Sequence, residues 1–148
     1  MRRNHWLMIC RDSRAAVMCL LLLAGFVWTV HADAESIAPD WQGNYYYTAG
    51  NRHAHVPFTM HLQIDGQTIS GRTTEPATFG DGSSAELYAD ISGRISGTAL
   101  TFTKTYDGTG GVNHSVQYLG TISANGARMS GSWNIGDFGG SFRATPVR

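Results

Sequence analysis

The stretch "HAHVPFTMH", His53 to His61, is the densest set of side chains able to bind a metal or move a proton, with three histidines in nine residues and two of them as H-x-H. Its even positions from Ala54 to Ile64 are apolar and its odd positions, apart from Pro57, are polar. That period of two makes it a strand with one buried face, and the histidines fall on the other. On such a strand His53 and His55 stand about 7 Å apart, and His61 lies roughly 20 Å beyond His55 at about 3.3 Å per residue. Three-histidine coordination is excluded on a continuous strand. No metal or other cofactor is expected, and only His53 and His55 could cooperate in holding one. Pro57 leaves one route open, because a bulge at a residue without a ladder donor could flip the pair into the interior.

A less conspicuous set emerges from strand parity. In "LTFTKTY", Leu100, Phe102, Lys104 and Tyr106 share one face, so Lys104 interrupts an apolar row. The same counting puts Glu75 inside, beyond Ile69, Gly71 and Thr73, and His114 inside ahead of Val116 and Tyr118; Tyr47 joins them from the first strand. An isolated buried charge is very costly, so an inward lysine needs a partner, and Glu75 is the nearest. The pair is either a structural ion pair at a rim or, with Tyr106, His114 and Tyr47, the contact set for a small polar or anionic ligand. No nucleophile with a positioned base is visible, so no enzymatic activity is expected.

The elements that position these residues follow from turns. Asp65-Gly66 as a two-residue loop sets Leu62 opposite Ile69 and Met60 opposite Gly71; Asn125-Gly126 pairs Ile122 with Met129, Gly120 with Gly131 and Tyr118 with Trp133; Gly97-Thr98 sets Ile95 against Leu100 and Gly93 against Phe102. Extending these readings predicts eight strands: Gly43 to Ala49, Arg52 to Ile64, Gln67 to Glu75, Ala85 to Ser96, Leu100 to Tyr106, His114 to Ser123, Ala127 to Ile135 and Gly140 to Thr145. Eight sequential antiparallel strands, each with one apolar face, bury that face and hide their edges by closing into an up-and-down barrel; a two-sheet sandwich is the alternative. Inward glycines (Gly43, Gly71, Gly93, Gly120, Gly131) leave room for large neighbours. A related phrase recurs at hairpin edges as "GQTISG", "GRISG" and "GARMSG".

Eight meandering strands in a small exported chain resemble the calycin group, the lipocalin and avidin type of barrel. Lipocalins begin their first strand with G-x-W, whereas the order here is Trp41-Gln42-Gly43, and no residues match the biotin contacts of avidins. The resemblance therefore implies an architecture and carries no ligand over.

The export reading comes from the N-terminus. Arg2, Arg3, Arg11 and Arg14 precede the apolar run "AAVMCLLLLAGFVWTV", which ends in "HADAES" with small residues at Ala32 and Ala34. That is the order of a cleavable signal peptide. The run is short of the roughly 20 residues that span a bilayer. Residues 1–34 are expected to be removed, leaving 35–148 as a single domain in the periplasm or outside the cell, with no membrane attachment. Cys10 and Cys19 both lie in the leader, so no disulfide is available to the rest. Four of the eleven basic and two of the eleven acidic residues precede Glu35, which leaves 7 against 9 and a net charge of about −2. No nucleic-acid partner is expected of such a domain. Asn113-His114-Ser115 also reads as a glycosylation sequon, relevant only in a eukaryotic secretory host.

With strands alternating up and down, the three tight turns gather at one end. The other end collects Gly50-Asn51 and the loops "PATFGDGSS" (76–84), "DGTGGVN" (107–113) and "GDFG" (136–139). Binding is expected there, of a small molecule in the mouth or of a protein partner, for instance a secreted hydrolase inhibited by the loops. Exposed Phe79 and Phe138 would favour the partner, and a roomy cavity below Lys104 the small molecule.

Overall fold

The computed structural model describes residues 37–48 and 55–148. The expected signal peptide, the Gly50-Asn51 turn and His53 lie outside the described residues. The rest forms eight antiparallel strands, β1 (Asp40–Tyr47), β2 (His55–Asp65), β3 (Thr68–Pro76), β4 (Glu86–Ser96), β5 (Ala99–Tyr106), β6 (Ser115–Ile122), β7 (Met129–Ile135) and β8 (Phe138–Pro146). Each pairs with its sequence neighbour and β8 pairs with β1, so the sheet is a closed up-and-down barrel. The closed eight-stranded up-and-down barrel is as expected and is consistent with a calycin-like architecture, and the sandwich is excluded.

Burial alternates residue by residue along β2 as far as Leu62 and along β4 and β5, as a single buried face requires, while Ile64 at the end of β2 is exposed. The interior is packed with aromatic rings. Phe102 stacks on Tyr118 with centroids 4.5 Å apart, and Phe142 meets both edge-on. Two glycines show how rings of this size fit: a Cβ at Gly43 would lie 2.7 Å from Phe58, and one at Gly120 would lie 2.9 Å from Phe142.

Register follows the turns with one correction. Ile95 faces Leu100 and Gly93 faces Phe102, across Gly97-Thr98. Tyr118 faces Trp133, Gly120 faces Gly131 and Ile122 faces Met129. That last register holds although the loop is longer than two residues: Ser123 N–H donates to Arg128 C=O, and Gly126 N–H donates to Ser123 C=O inside it. Between β2 and β3, however, Leu62 faces Gly71, Met60 faces Thr73 and Ile64 faces Ile69, a shift of two residues from the expected pairing. The two-residue loop is Gly66-Gln67. Gly66, at φ 57, occupies its first position, as Gly97, also at φ 57, does in the next hairpin but one. A shift of two preserves parity, so every side chain remains on its expected face.

The corrected register explains a break in the barrel wall. The last β2–β3 pair is Thr59 with Thr74, although β2 continues along β1 to His55 and β3 continues along β4 to Pro76. Leu62 N–H donates to Pro39 C=O, so even-numbered β2 residues bond toward β1 and odd ones toward β3; Ala77 N–H donates to Ala85 C=O, so odd β3 residues bond toward β4 and even ones toward β2. Two residues past Thr59 and Thr74 the next hydrogen-bonded pair would be Pro57 with Pro76. Neither has an N–H, so both donors of that pair are missing and the ladder stops. An open groove of about 520 Å³, lined by these prolines with Thr59, Thr74 and Asn44, takes its place. Pro57 therefore does not flip parity: Val56 and Phe58 are buried while His55 and Pro57 are exposed. A Pro57→Val, Pro76→Val double variant is expected to add this pair to the ladder and gain about 1 kcal/mol. Native-state hydrogen exchange at the two new amides checks it.

Candidate functional site

Parity brings Glu75, Lys104 and Tyr106 together, as the sequence implies, and adds Tyr45. Glu75 comes from β3, Lys104 and Tyr106 from β5, and Tyr45 from β1. The Glu75 carboxylate accepts hydrogen bonds from the Lys104 ammonium and from the hydroxyls of Tyr106 and Tyr45, the last at 3.1 Å. Lys104 Nζ also donates to the Tyr106 hydroxyl at 2.9 Å and lies 4.4 Å from the centroid of that ring. The lysine side chain is 3% exposed and the glutamate 0%. Since β1 and β5 are four staves apart in an eight-stave barrel, the group forms a hydrogen-bonded bar across the interior.

Burial holds Lys104 below its ordinary value, and the neighbouring Glu75 carboxylate works against that shift. Burial, then the Glu75 carboxylate, pushes the hydroxyls of Tyr45, Tyr106 and Tyr118 above the ordinary tyrosine value of 10.0. Between the two values the folded chain keeps protons that the unfolded chain has lost. The stability these three residues contribute is complete below about pH 10 and is lost as pH rises above it. The expected result is that their phenolate absorbance appears only with alkaline unfolding, which a spectrophotometric titration followed alongside circular dichroism checks.

Below the bar, Phe58, Met60, Thr73, Phe102, Lys104 and Tyr118 enclose a space of only about 10 Å³, no more than one water. No ligand fits there. Above the bar lies a cup of about 220 Å³ that opens at the loop end. One wall is a cluster of mutually edge-on rings, with Trp133 of β7 at 5.2 Å from Tyr47 and 6.0 Å from Tyr45. Trp133 Nε1 donates to Tyr46 C=O at 3.1 Å, which fixes the indole. The opposite wall is Tyr106 with His114 at 4.9 Å and Phe79 edge-on at 5.8 Å. Tyr118 and Val116 of β6 reach it from the side, and Ile135 and Phe138 form the rim.

The residues expected to meet a ligand thus separate into two groups. Tyr47, Tyr106 and His114 line the cup; Glu75 and Lys104 lie under it and satisfy each other. Sequence parity places Tyr45 and Trp133 inside without revealing that they form a wall. Phe79 comes from a loop, where no parity rule applies, whereas Phe138, which the sequence reading places in the loop 136–139, is the first residue of β8 and shares the parity of the buried Phe142 and Ala144.

The loops around the cup are held by their own polar groups. Asp81 N–H donates to Gly110 C=O at 2.8 Å, which ties loop 77–85 to loop 107–114. The fit needs a glycine at 80, because a Cβ there would come within 2.4 Å of the same carbonyl oxygen. Asp107 accepts from Thr109 N–H at 3.0 Å and pairs with Arg72 at 2.5 Å. Two hydrogen bonds from Thr109, the larger effect, and then the Arg72 charge hold its carboxyl below the ordinary range.

Of the opening histidines, His55 is exposed on the outer face opposite Tyr46, and His61 pairs with Asp40 at 2.7 Å. Among the described residues no group of three histidine, cysteine, aspartate or glutamate side chains comes together to hold a metal. Comparison with protein-family models gives no match, and comparison with curated protein sequences gives none either.

Proposed function

We propose that this chain is an exported binding protein of calycin-like build, released into the periplasm or the medium by removal of residues 1–34, that takes a small ligand in the cup at its open end. The observation that carries this reading is the cup itself. It is concave, ring-walled, bordered by loops fastened to one another, and closed beneath by a bar with no exposed charge. Because Glu75 and Lys104 neutralise each other under the floor, the ligand's body is apolar, and any polar end it has meets His114 or the tyrosine hydroxyls. Titration of the purified protein with small aromatic compounds is expected to change Trp133 fluorescence saturably and to raise the melting temperature. The absence of both changes in the parent, at ligand concentrations up to solubility, would count against the reading.

A second reading, in which a protein partner seats on the loops, is supported by Phe138, 71% exposed, and Phe79, 36% exposed, which stand at the rim as aromatic anchors do at interfaces. Native mass spectrometry of the exported protein separates the two, through a retained small molecule in one case and a co-migrating chain in the other.

A further inference from the structure

We propose that the cup selects a planar, uncharged guest of one or two fused rings carrying a hydrogen-bond acceptor, and that the Tyr118 hydroxyl reads that acceptor. The inference rests on the cup being a small-molecule site and names what enters it.

Shape comes from the two ring clusters. Tyr45 and Tyr106 stand on opposed staves of the barrel, each backed by further rings, so the space between them is a slot between aromatic faces and edges. A flat guest fills such a slot and a coiled alkyl chain does not. Size agrees. At about 220 Å³ the cup lies between an apolar cavity of about 150 Å³ that accommodates benzene and the roughly 300 Å³ at which drug-sized pockets begin.

Charge is decided beneath the floor. The ammonium and carboxylate nearest the cup are already bonded to each other, and both are sealed. An ionic guest would lose water and gain no full opposite charge, which is the expensive case.

The acceptor preference comes from comparing three tyrosines. Tyr45 and Tyr106 commit their hydroxyls to Glu75. Tyr118 lines the same cup, is 5% exposed, and has ring contacts to Phe102 and Phe142 but no hydrogen bond within the described residues. No side-chain oxygen or nitrogen among those residues is both sealed and unpartnered, so the Tyr118 oxygen is still reached from the open space it borders. Tyr118 lines both the cup and the small space under the bar, which puts it at the level of the cup floor. Glu75 already accepts from three donors and none of them is Tyr118. A guest acceptor therefore completes a buried hydroxyl that the protein leaves open, whereas Tyr47, also without a hydrogen bond of its own among the described residues, is 37% exposed and meets solvent. A site built around a polar group discriminates against analogues lacking the partner.

The test uses the full chain, expressed with its leader and purified, and isosteric probes. Quinoline is expected to bind about tenfold more tightly than naphthalene, the worth of one modest hydrogen bond. N-methylquinolinium, 2-naphthoate and octan-1-ol are expected to bind at least tenfold more weakly than quinoline. In Tyr118→Phe the preference for quinoline over naphthalene should vanish, with an unchanged circular dichroism spectrum showing that the variant is folded. Tighter binding of either ion overturns the uncharged guest, and equal binding of octan-1-ol overturns the planar one. A quinoline preference that survives Tyr118→Phe overturns the role of Tyr118. If none of the five probes binds the parent protein, the small-molecule reading of the cup itself fails, and the class falls with it.

Discussion

Lys104→Met is expected to lower the unfolding free energy by about 3–5 kcal/mol, because it leaves the Glu75 carboxylate charged and sealed with no counter-charge. Methionine nearly preserves the volume of the lysine stem, so the loss reports the broken pair and not a cavity. The Tyr45 and Tyr106 hydroxyls still donate to Glu75 in the variant, which limits the damage but supplies no positive charge. Urea denaturation of the parent and the variant gives the magnitude. Adding Glu75→Gln should recover more than half of the loss, since an amide oxygen still accepts from both tyrosines and carries no charge to strand. If Lys104→Met instead left stability unchanged and weakened only binding, the lysine would be a ligand contact, and the bar would not be what holds the floor.

Trp133→Ala is expected to cost a further large amount, about 3–5 kcal/mol, as truncations of buried tryptophan do. Three losses combine at this position. The indole is edge-on to Tyr45 and Tyr47, it satisfies the Tyr46 carbonyl through Nε1, and it fills the space beside Gly140. That glycine cannot compensate by taking on a side chain, since a Cβ there would lie 1.7 Å from Tyr46 O and 2.7 Å from Trp133 Nε1. Trp133→Phe should recover part of the stability by restoring a ring but not the Nε1 donor. Denaturation curves of the three proteins, with probe titrations of those that fold, separate the structural share from the share due to the cup wall.

Much of this arrangement was legible in the chain, because a two-residue period and a few turns place side chains by counting. Lys104 stood out as a charge in an apolar row, and counting from the next strands found Glu75 and Tyr106 on the same face. The counting survived a register error between β2 and β3, since a slip of two leaves parity intact. What the error concealed was the proline pair. With Asp65-Gly66 as the turn, Pro57 falls opposite Thr74, and the proline looks like a lone irregularity. With Gly66-Gln67 it falls opposite Pro76, and the break in the wall follows at once. The walls of the cup were harder to read. Phe79 owes its position to a tie between two loops and leaves no periodic trace, while Phe138 continues the inward row of Phe142 and Ala144 and is missed only by starting β8 two residues late. Tyr45 shares the inward parity of Tyr47, but its bond to Glu75 spans a distance across the barrel that strand-neighbour reasoning does not measure.

The missing rung at Pro57 and Pro76 gives the barrel two ends of different mechanical character. A hoop whose every joint is fastened has a fixed circumference, and the end with the tight turns is such a hoop. Toward the loop end the ring has one undone clasp. It can widen there without breaking a backbone hydrogen bond, so the compliance of the mouth is set by side chains alone while the base stays rigid.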